Sequence, residues 1–124
     1  MANELILIVE DKPKNLKLVR DILQVKGYQT VEAETGEEGV RLARERLPAL
    51  ILMDIQLPGM SGIEALGLIR ADAMTRTIPV IAVTASVMPQ DRQRVMAAGF
   101  DGFQGKPISV RELLATVAGI LDKS

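Results

Sequence analysis

Near its N-terminus the chain reads Leu5-Ile6-Leu7-Ile8-Val9-Glu10-Asp11, an unbroken apolar run followed by two acidic residues. Two similar apolar runs lie further along the chain, at residues 50–53 and 79–83. Strands that are apolar on both faces belong inside a parallel sheet whose two faces are covered by helices. The three runs therefore predict the central strands of such a sheet.

Two further segments have the character of edge strands. Residues 30–33 alternate between polar and apolar side chains, and residues 101–105 are short and rich in glycine. Segments of this kind fit the edges of a sheet better than its centre. With right-handed crossovers, the five β-α units predict a flavodoxin-like, doubly wound α/β fold with five helices and the parallel strand order 2-1-3-4-5.

Helix boundaries are marked by capping signals. Three boxes of the S/T-x-x-E type open amphipathic segments, at Thr35 to Glu38, Ser61 to Glu64 and Ser109 to Glu112. The first helix is predicted over residues 13–26, with Gly27 as its stop signal. Its inward face is predicted to carry Leu16, Val19, Ile22 and Leu23.

Composition excludes several classes of protein. The 124 residues are 48% hydrophobic, which is enough for one core. With 15 Lys plus Arg against 16 Asp plus Glu, the composition indicates no basic face for nucleic acid. The chain has no Cys and no His, which excludes disulfides, zinc sites and Ser-His-Asp triads. No basic signal segment and no membrane-length apolar run are present, so we expect a cytoplasmic protein that binds neither membranes nor nucleic acid.

Reactive side chains follow four of the predicted strands. Glu10 and Asp11 follow the first strand, Asp54 the third, Thr84 the fourth and Lys106 the fifth. Because ligands of open parallel sheets bind beyond the carboxyl ends of the strands, these residues are predicted to form one site.

Each residue also has an ordinary structural explanation. Asp11 and Thr84 could cap helices, and Asp54 could be a turn residue that bonds its own backbone. Lys106 could be a solvated surface lysine. The conjunction of all of them at one edge favours a functional site.

The chemistry of this group suits a cation and a phosphoryl group. Two carboxylates about 5 Å apart repel by about 3 kcal/mol at an effective dielectric of about 20, so a cation is expected among them. Oxygen ligands with room for water favour Mg²⁺. Asp54 could then be both ligand and nucleophile, while Lys106 and Thr84 contact phosphoryl oxygens.

Four motifs carry a family resemblance. They are Ile8-Val9-Glu10-Asp11, Met53-Asp54-Ile55-Gln56-Leu57-Pro58-Gly59-Met60-Ser61-Gly62, Val83-Thr84-Ala85 and Gly105-Lys106-Pro107-Ile108. Together they resemble the receiver domain of two-component response regulators, across residues 1–124 and in the right order. The sequence is similar to single-domain regulators of the DivK type and also to the receivers of hybrid kinases.

The resemblance implies a role for each site residue. Asp54 corresponds to the phosphoacceptor and Lys106 to the lysine that contacts the phosphoryl group. Asp11, Asp54 and the backbone carbonyl of Gln56 correspond to the Mg²⁺ ligands, with Glu10 acting mainly through water. The implied function is that of a phosphoacceptor which catalyses only its own phosphorylation and dephosphorylation.

A switch is implied by Thr84 and Phe103, which match the family's paired switch residues. Phe103 stands where many relatives carry Tyr, so an output contact at this position cannot use a phenolic hydroxyl. Val87, Met88, Phe103 and Val110 are expected contacts on an output face for a downstream protein.

A docking surface for a histidine kinase or phosphotransfer protein is expected on the first helix. At 100° per residue, Leu18 and Val25 project away from the inward stripe. Leu18 and Asn15 are expected beside Pro107 and Ile108, where the resemblance implies a cis Lys106–Pro107 bond.

Three other functions remain as alternatives. A magnesium-dependent aspartyl phosphatase of the haloacid-dehalogenase type would need an acid where Gln56 stands. An FMN-binding flavodoxin is disfavoured by Glu10-Asp11, which would repel phosphate, and by a total of three Tyr and Phe residues. A module for protein contacts alone would be expected to have lost its acceptor, hydroxyl or lysine.

Two features concern regulation and extent. The resemblance implies that Gln56 and Ser86 tune the lifetime of the phosphorylated form. The last predicted helix is followed directly by Ser124, from which we expect a stand-alone regulator with no attached effector.

Overall fold

The computed structural model describes residues 3–85 and 88–122. The strands are β1 (Leu5–Val9), β2 (Gln29–Ala33), β3 (Leu50–Asp54), β4 (Val80–Thr84) and β5 (Gly102–Gly105). The helices are α1 (Pro13–Val25), α2 (Gly36–Arg46), α3 (Gly62–Ala71), α4 (Pro89–Ala97) and α5 (Val110–Leu121). Strands and helices alternate, as the sequence predicts.

The strands form one parallel sheet in the order β2-β1-β3-β4-β5, which confirms the predicted topology. The residues of β3 and β4 are buried throughout, whereas both edge strands are partly exposed. The predicted strand boundaries are correct to one residue. β3 and β4 each extend one residue further than predicted, so that Asp54 and Thr84 are the last residues of their strands.

Alternation along the strands divides the core into two layers. On β1, Leu7 and Val9 face the layer that contains side chains of α2, α3 and α4, while Ile6 and Ile8 face the layer of α1 and α5. Both faces of the central strands are thereby removed from water, which explains their unbroken apolar sequences.

Helix α1 confirms the predicted amphipathic pattern. Val19, Ile22 and Leu23 are buried, whereas Leu18 is 41% and Val25 is 86% exposed. The helix ends at Val25, with Lys26 as its C-cap and Gly27 in a left-handed conformation at φ 93°. Its end lies one residue before the predicted one.

Of the three predicted capping boxes, the one at α3 is complete. The Ser61 hydroxyl accepts from the Glu64 amide, and the Glu64 carboxylate accepts from the Ser61 amide, each at 3.1 Å. At α2 the Thr35 hydroxyl caps as expected, but the Glu38 carboxylate accepts from the Glu34 amide instead. At α5 the Ser109 hydroxyl accepts from the Glu112 amide, which is one of the two hydrogen bonds of a capping box.

Arg70, near the end of α3, joins two loops at the amino-terminal edge of the sheet. Its guanidinium donates to the carbonyl oxygens of Arg76, Ile78 and Gly99 and to the carboxylate of Asp101. The same Asp101 carboxylate accepts from the first amide of β4. The connections before β4 and before β5 are therefore held together at the edge opposite the predicted site.

No helix in the described part of the chain is both long enough and apolar enough to cross a membrane.

Candidate functional site

The predicted site residues meet at the carboxyl edge of the sheet. Glu10 and Lys106 directly follow β1 and β5, while Asp54 and Thr84 end β3 and β4. Glu10, Asp54 and Thr84 are at most 4% exposed. Four strands thus bring charged and hydroxyl side chains into one mostly buried group.

Lys106 forms the central ion pairs of this group. Its Nζ lies 3.0 Å from Glu10 Oε1 and 3.0 Å from Asp54 Oδ2, and its side chain is only 15% exposed. Burial lowers the pKa of Lys106, but the hydrogen bonds and charges of Glu10 and Asp54 outweigh burial and raise the pKa overall. The explanation of Lys106 as a solvated surface lysine is therefore wrong, and this ammonium relieves part of the carboxylate repulsion.

The two carboxylate oxygens of Glu10 contact different neighbours, Oε1 the ammonium of Lys106 and Oε2 the backbone of Lys12. Burial, followed by the interaction with Asp54, raises the pKa of Glu10 despite the opposing effect of Lys106. Its Oε2 also accepts from the Lys12 amide at 3.1 Å. These bonds hold the carboxylate beside Asp54 and fix one side of the site.

Asp11 does not cap α1. The N-cap of that helix is Lys12, and no side chain among the described residues caps it. Asp11 Oδ1 is instead buried, with no hydrogen-bond partner within residues 3–85 and 88–122. A buried carboxylate oxygen without a partner is costly, and a cation would satisfy it.

Glu10, Asp11 and Asp54, which we call the acidic cluster, each offer a carboxylate oxygen within 4.8 Å of the others. An all-oxygen set with the unpartnered Asp11 oxygen fits a hard divalent cation of the Mg²⁺ type. The residues present are therefore suitable for the predicted metal.

Asp54 makes a turn contact as well as its contact with Lys106. Its Oδ1 accepts from the Gln56 amide at 3.0 Å, which confirms the local backbone bond considered from the sequence. Its Oδ2 remains directed to Lys106. The two explanations of Asp54 are thus compatible, and the Gln56 carbonyl as a metal ligand stays a prediction.

Thr84 does not cap the next helix, because the N-cap of α4 is Met88. Its backbone carbonyl accepts from the Lys106 amide at 2.9 Å, which joins the end of β4 to the start of the β5–α5 loop. The hydroxyl-bearing residue and the lysine are therefore held next to each other through the main chain.

Phe103 lies on β5, partly buried against the core layer of α2, α3 and α4. The Arg92 guanidinium of α4 lies 5.0 Å from the centre of its ring. The sequence does not reveal this cation–π contact, because no local pattern shows which side chain of α4 packs against β5. Of the other expected output-face residues, Met88 and Val110 are exposed, while Val87 lies outside the described residues, as does Ser86.

The expected docking residues occupy one end of α1 and the loop after β5. Leu18 is exposed, Asn15 and Ile108 are partly buried, and Pro107 is exposed after a cis Lys106–Pro107 bond. A groove of about 280 Å³ between α1 and α5, which the sequence did not reveal, is lined by Asp21, Ile22, Val25, Lys26, Val110 and Leu114.

With this geometry established, the comparisons with known proteins identify the family. The family model for the response regulator receiver domain matches residues 6–118. The chain belongs to the response regulator receiver family. The polar-differentiation response regulators DivK of Brucella ovis and Brucella anthropi are each 45% identical to it over 116 residues, which is 94% of this chain and 94% of theirs.

Solved structures show the same receiver fold. The receiver domain of a sensor histidine kinase from Pseudomonas aeruginosa, described with a magnesium ion in its active-site cleft, superposes with a TM-score of 0.90 at 33% identity. The match covers 98% of this chain and 99% of that one. Chemotaxis protein CheY4 of Vibrio cholerae gives a TM-score of 0.89 at 27% identity, covering 96% of this receiver and 99% of that protein.

Proposed function

We propose that this receiver domain accepts a phosphoryl group on Asp54 in a Mg²⁺-dependent reaction and signals through a protein–protein interface. The carrying observation is the position of Asp54, which contacts Lys106 at 3.0 Å within an acidic cluster whose Asp11 oxygen has no described partner. The donor is the phosphohistidine of a histidine kinase or of a phosphotransfer protein.

The transfer needs a nucleophile and charge neutralisation. An Asp54 carboxylate oxygen forms a bond to phosphorus while the phosphorus–nitrogen bond to the donor histidine breaks. Lys106, held as an ammonium, neutralises charge on the phosphoryl oxygens, and Thr84 lies at the same edge for a hydroxyl contact.

The metal would be held by Asp11, Asp54 and the Gln56 carbonyl, with Glu10 acting through water. When bound, Mg²⁺ supplies positive charge that lets an anionic phosphoryl group approach the carboxylates. The observation in favour is the oxygen-only donor set with its unpartnered Asp11 atom.

We place the protein among phosphoacceptors rather than turnover enzymes. Gln56 stands two residues beyond Asp54, where an aspartyl phosphatase of the haloacid-dehalogenase type would carry its acid. The chain therefore catalyses only its own phosphorylation and dephosphorylation, at rates that Gln56 and Ser86 tune.

The proposed output runs through Thr84 and Phe103. Movement of the Thr84 hydroxyl towards the phosphoryl group would open space beside β4, into which the Phe103 ring rotates. The support is the position of Phe103 between the core and Arg92, where a change of side-chain rotamer alters the surface of α4 and β5.

Intact-mass measurement tests the acceptor directly. A small phosphodonor with Mg²⁺ should add one phosphoryl group of about 80 Da to the protein, and Asp54→Asn should remove the adduct because the nucleophile is lost. Asp122→Asn, which neutralises an exposed carboxylate beyond α5, is the matched control and should be phosphorylated normally. An adduct retained on Asp54→Asn contradicts the assignment.

The donor-docking surface has its own test. Leu18→Ala should slow phosphotransfer from the protein donor and leave phosphorylation by a small molecule unchanged, because only the protein donor touches α1. Leu68→Ala on α3 is the control, since both leucines are 41% exposed. Equal loss with both donors contradicts a docking role for Leu18, Asn15, Pro107 and Ile108.

A cytoplasmic location stays a prediction. It belongs to this proposal because the phosphohistidine donors of the family are intracellular signalling proteins. The balanced charge of the chain supports partners other than nucleic acid.

A further inference from the structure

Gly62, the first residue of α3, lies directly against the backbone of the acidic cluster's Asp54. A Cβ atom at position 62 would overlap the carbonyl oxygen of Asp54 and would lie 2.9 Å from Ile55 Cα and 3.0 Å from the carbonyl carbon of Asp54. Carbon atoms in favourable contact are about 3.5–4.0 Å apart. Position 62 therefore has no space for even one methyl group.

The neighbouring atoms cannot easily give way, since all three belong to the main chain. The Ile55 amide donates to Val83 on β4 at 3.0 Å, and the Gly62 amide donates to the Ile55 carbonyl at 3.0 Å. The Ser61 capping box fixes the start of α3 on the other side. Any side chain at position 62 must separate α3 from β3 or displace the Asp54–Ile55 peptide.

Displacement of that peptide would reach the reactive carboxylate. Asp54 Oδ1 accepts from Gln56 and Oδ2 from Lys106, each at 3.0 Å. These contacts weaken once the atoms separate by a few tenths of an ångström beyond normal hydrogen-bond distance. Misplacement of a reacting group by about 1 Å can reduce a rate by about a hundredfold.

We propose that Gly62 is a positioning residue for the phosphoacceptor. By having no side chain, it lets the first turn of α3 rest on the Asp54–Ile55 peptide and sets where the Asp54 carboxylate stands relative to Lys106 and the metal ligands. The inference deepens the proposed function and rests on Asp54 as the acceptor.

The test compares Gly62→Ala with two controls. Gly67→Ala lies in the same helix, where a new Cβ meets nothing within 4 Å, and should leave the site unchanged. Val117→Ala removes buried volume from α5 on the other side of the sheet and controls for lost stability alone. Each variant is measured for melting temperature, for Mg²⁺ affinity by calorimetry below its melting range, and for phosphorylation rate at saturating Mg²⁺.

Gly62→Ala is expected to bind Mg²⁺ at least about tenfold more weakly and to be phosphorylated about tenfold to a hundredfold more slowly than either control. Values equal to those of Val117→Ala at a similar melting temperature would overturn the proposal, because the glycine would then matter for stability alone. A wild-type protein that takes up no phosphoryl group would refute the proposed acceptor, whereas the Mg²⁺ affinities would still test Gly62.

Hydrogen exchange on the wild-type protein gives a second test that does not depend on a variant folding. If α3 restrains Asp54 through Gly62, the Gly62 amide should exchange as slowly as the Ile55 amide in the β3–β4 pairing. Exchange of the Gly62 amide at the rate of an open loop would overturn the proposal.

Discussion

Helices α3 and α4 lie on the same face of the sheet and follow adjacent strands, yet they are held very differently. α3 begins in a complete capping box and buries Gly62, Ala65, Leu66 and Ile69. α4 begins at Met88 with no side-chain cap among the described residues, and its buried residue there is Val95. Helix α3, which packs beside Asp54, is therefore anchored more firmly than α4, which follows Thr84 in the chain.

On the proposed function, this difference would separate the transfer reaction from the conformational response to it. Phosphoryl transfer to Asp54 would need β3 and the loop after it to stay in place, and the packing of α3 would hold them there. Segments that move on signalling come from the least stable parts of a structure, which have few buried apolar contacts. We therefore expect phosphorylation of Asp54 to change the position of α4 and to leave the position of α3 unchanged.

The largest expected effect is the loss of a core side chain of α3. Leu66→Ala removes buried volume and should lower the free energy of unfolding by about 2–5 kcal/mol in urea denaturation. Met96→Ala on α4, where the side chain is 43% exposed, should change the same quantity by less than about 0.5 kcal/mol. Similar losses in the two variants would show that α4 is as firmly anchored as α3.

The proposed metal site includes Asp54, whose backbone α3 packs against. If Mg²⁺ binds the acidic cluster, a hundredfold excess over its dissociation constant should raise the free energy of unfolding by about 2.7 kcal/mol, because only the folded chain brings the three carboxylates together. Asp11→Asn should remove this gain in a thermal melt. The same gain in Asp11→Asn would contradict the role of the unpartnered Asp11 oxygen.

Removing the cap of α3, or adding one to α4, should make the two helices more similar in how firmly their N-terminal ends are held. Ser61→Ala removes the α3 cap and should cost about 1 kcal/mol, whereas Met88→Ser offers α4 a hydroxyl cap and should add about 0.5–1 kcal/mol. Chemical denaturation measures both. If Met88→Ser is no more stable than wild type, a hydroxyl at position 88 does not cap the first turn of α4.

The smallest expected effect concerns the contact between α4 and β5. Arg92→Ala removes the cation over the Phe103 ring. In a double-mutant cycle with Phe103→Leu, the coupling free energy between the two positions should be about 0.5–1 kcal/mol. Arg94→Ala is the control, because Arg94 pairs with Asp91 on its own helix. Equal coupling of Arg92 and Arg94 to Phe103 would show a general charge effect instead of a contact.

The sheet and its site edge were predictable because they depend on local patterns. The apolar runs of β1, β3 and β4 identify buried parallel strands, and the polar residue that ends or follows each run must lie at the carboxyl edge. The strand order, the α1 stripe and the grouping of Asp54 with Lys106 were therefore correct.

Most of what the sequence did not predict depends on distances between segments far apart in the chain. Glu38 is a local exception, because its spacing from Thr35 suits a capping box and yet its carboxylate accepts from the Glu34 amide. The Arg92–Phe103 contact and the closeness of Gly62 to Asp54 arise only when helices pack on strands. The role of Lys106 in relieving carboxylate repulsion also required the folded geometry.

The Arg70 contacts determine how α4 is able to move. Because one guanidinium joins the carbonyl of Gly99, just beyond α4, to the loop before β4, the C-terminal end of α4 is fixed at the amino edge of the sheet. Nearer its N-terminal end, α4 contacts β5 through Arg92 and the Phe103 ring. A rotation of the Phe103 ring would therefore shift this part of α4, while the Arg70 contacts hold the other end in place. The helix would then turn about its C-terminal end and change the direction of its exposed face, while the two loops at the amino edge keep their positions.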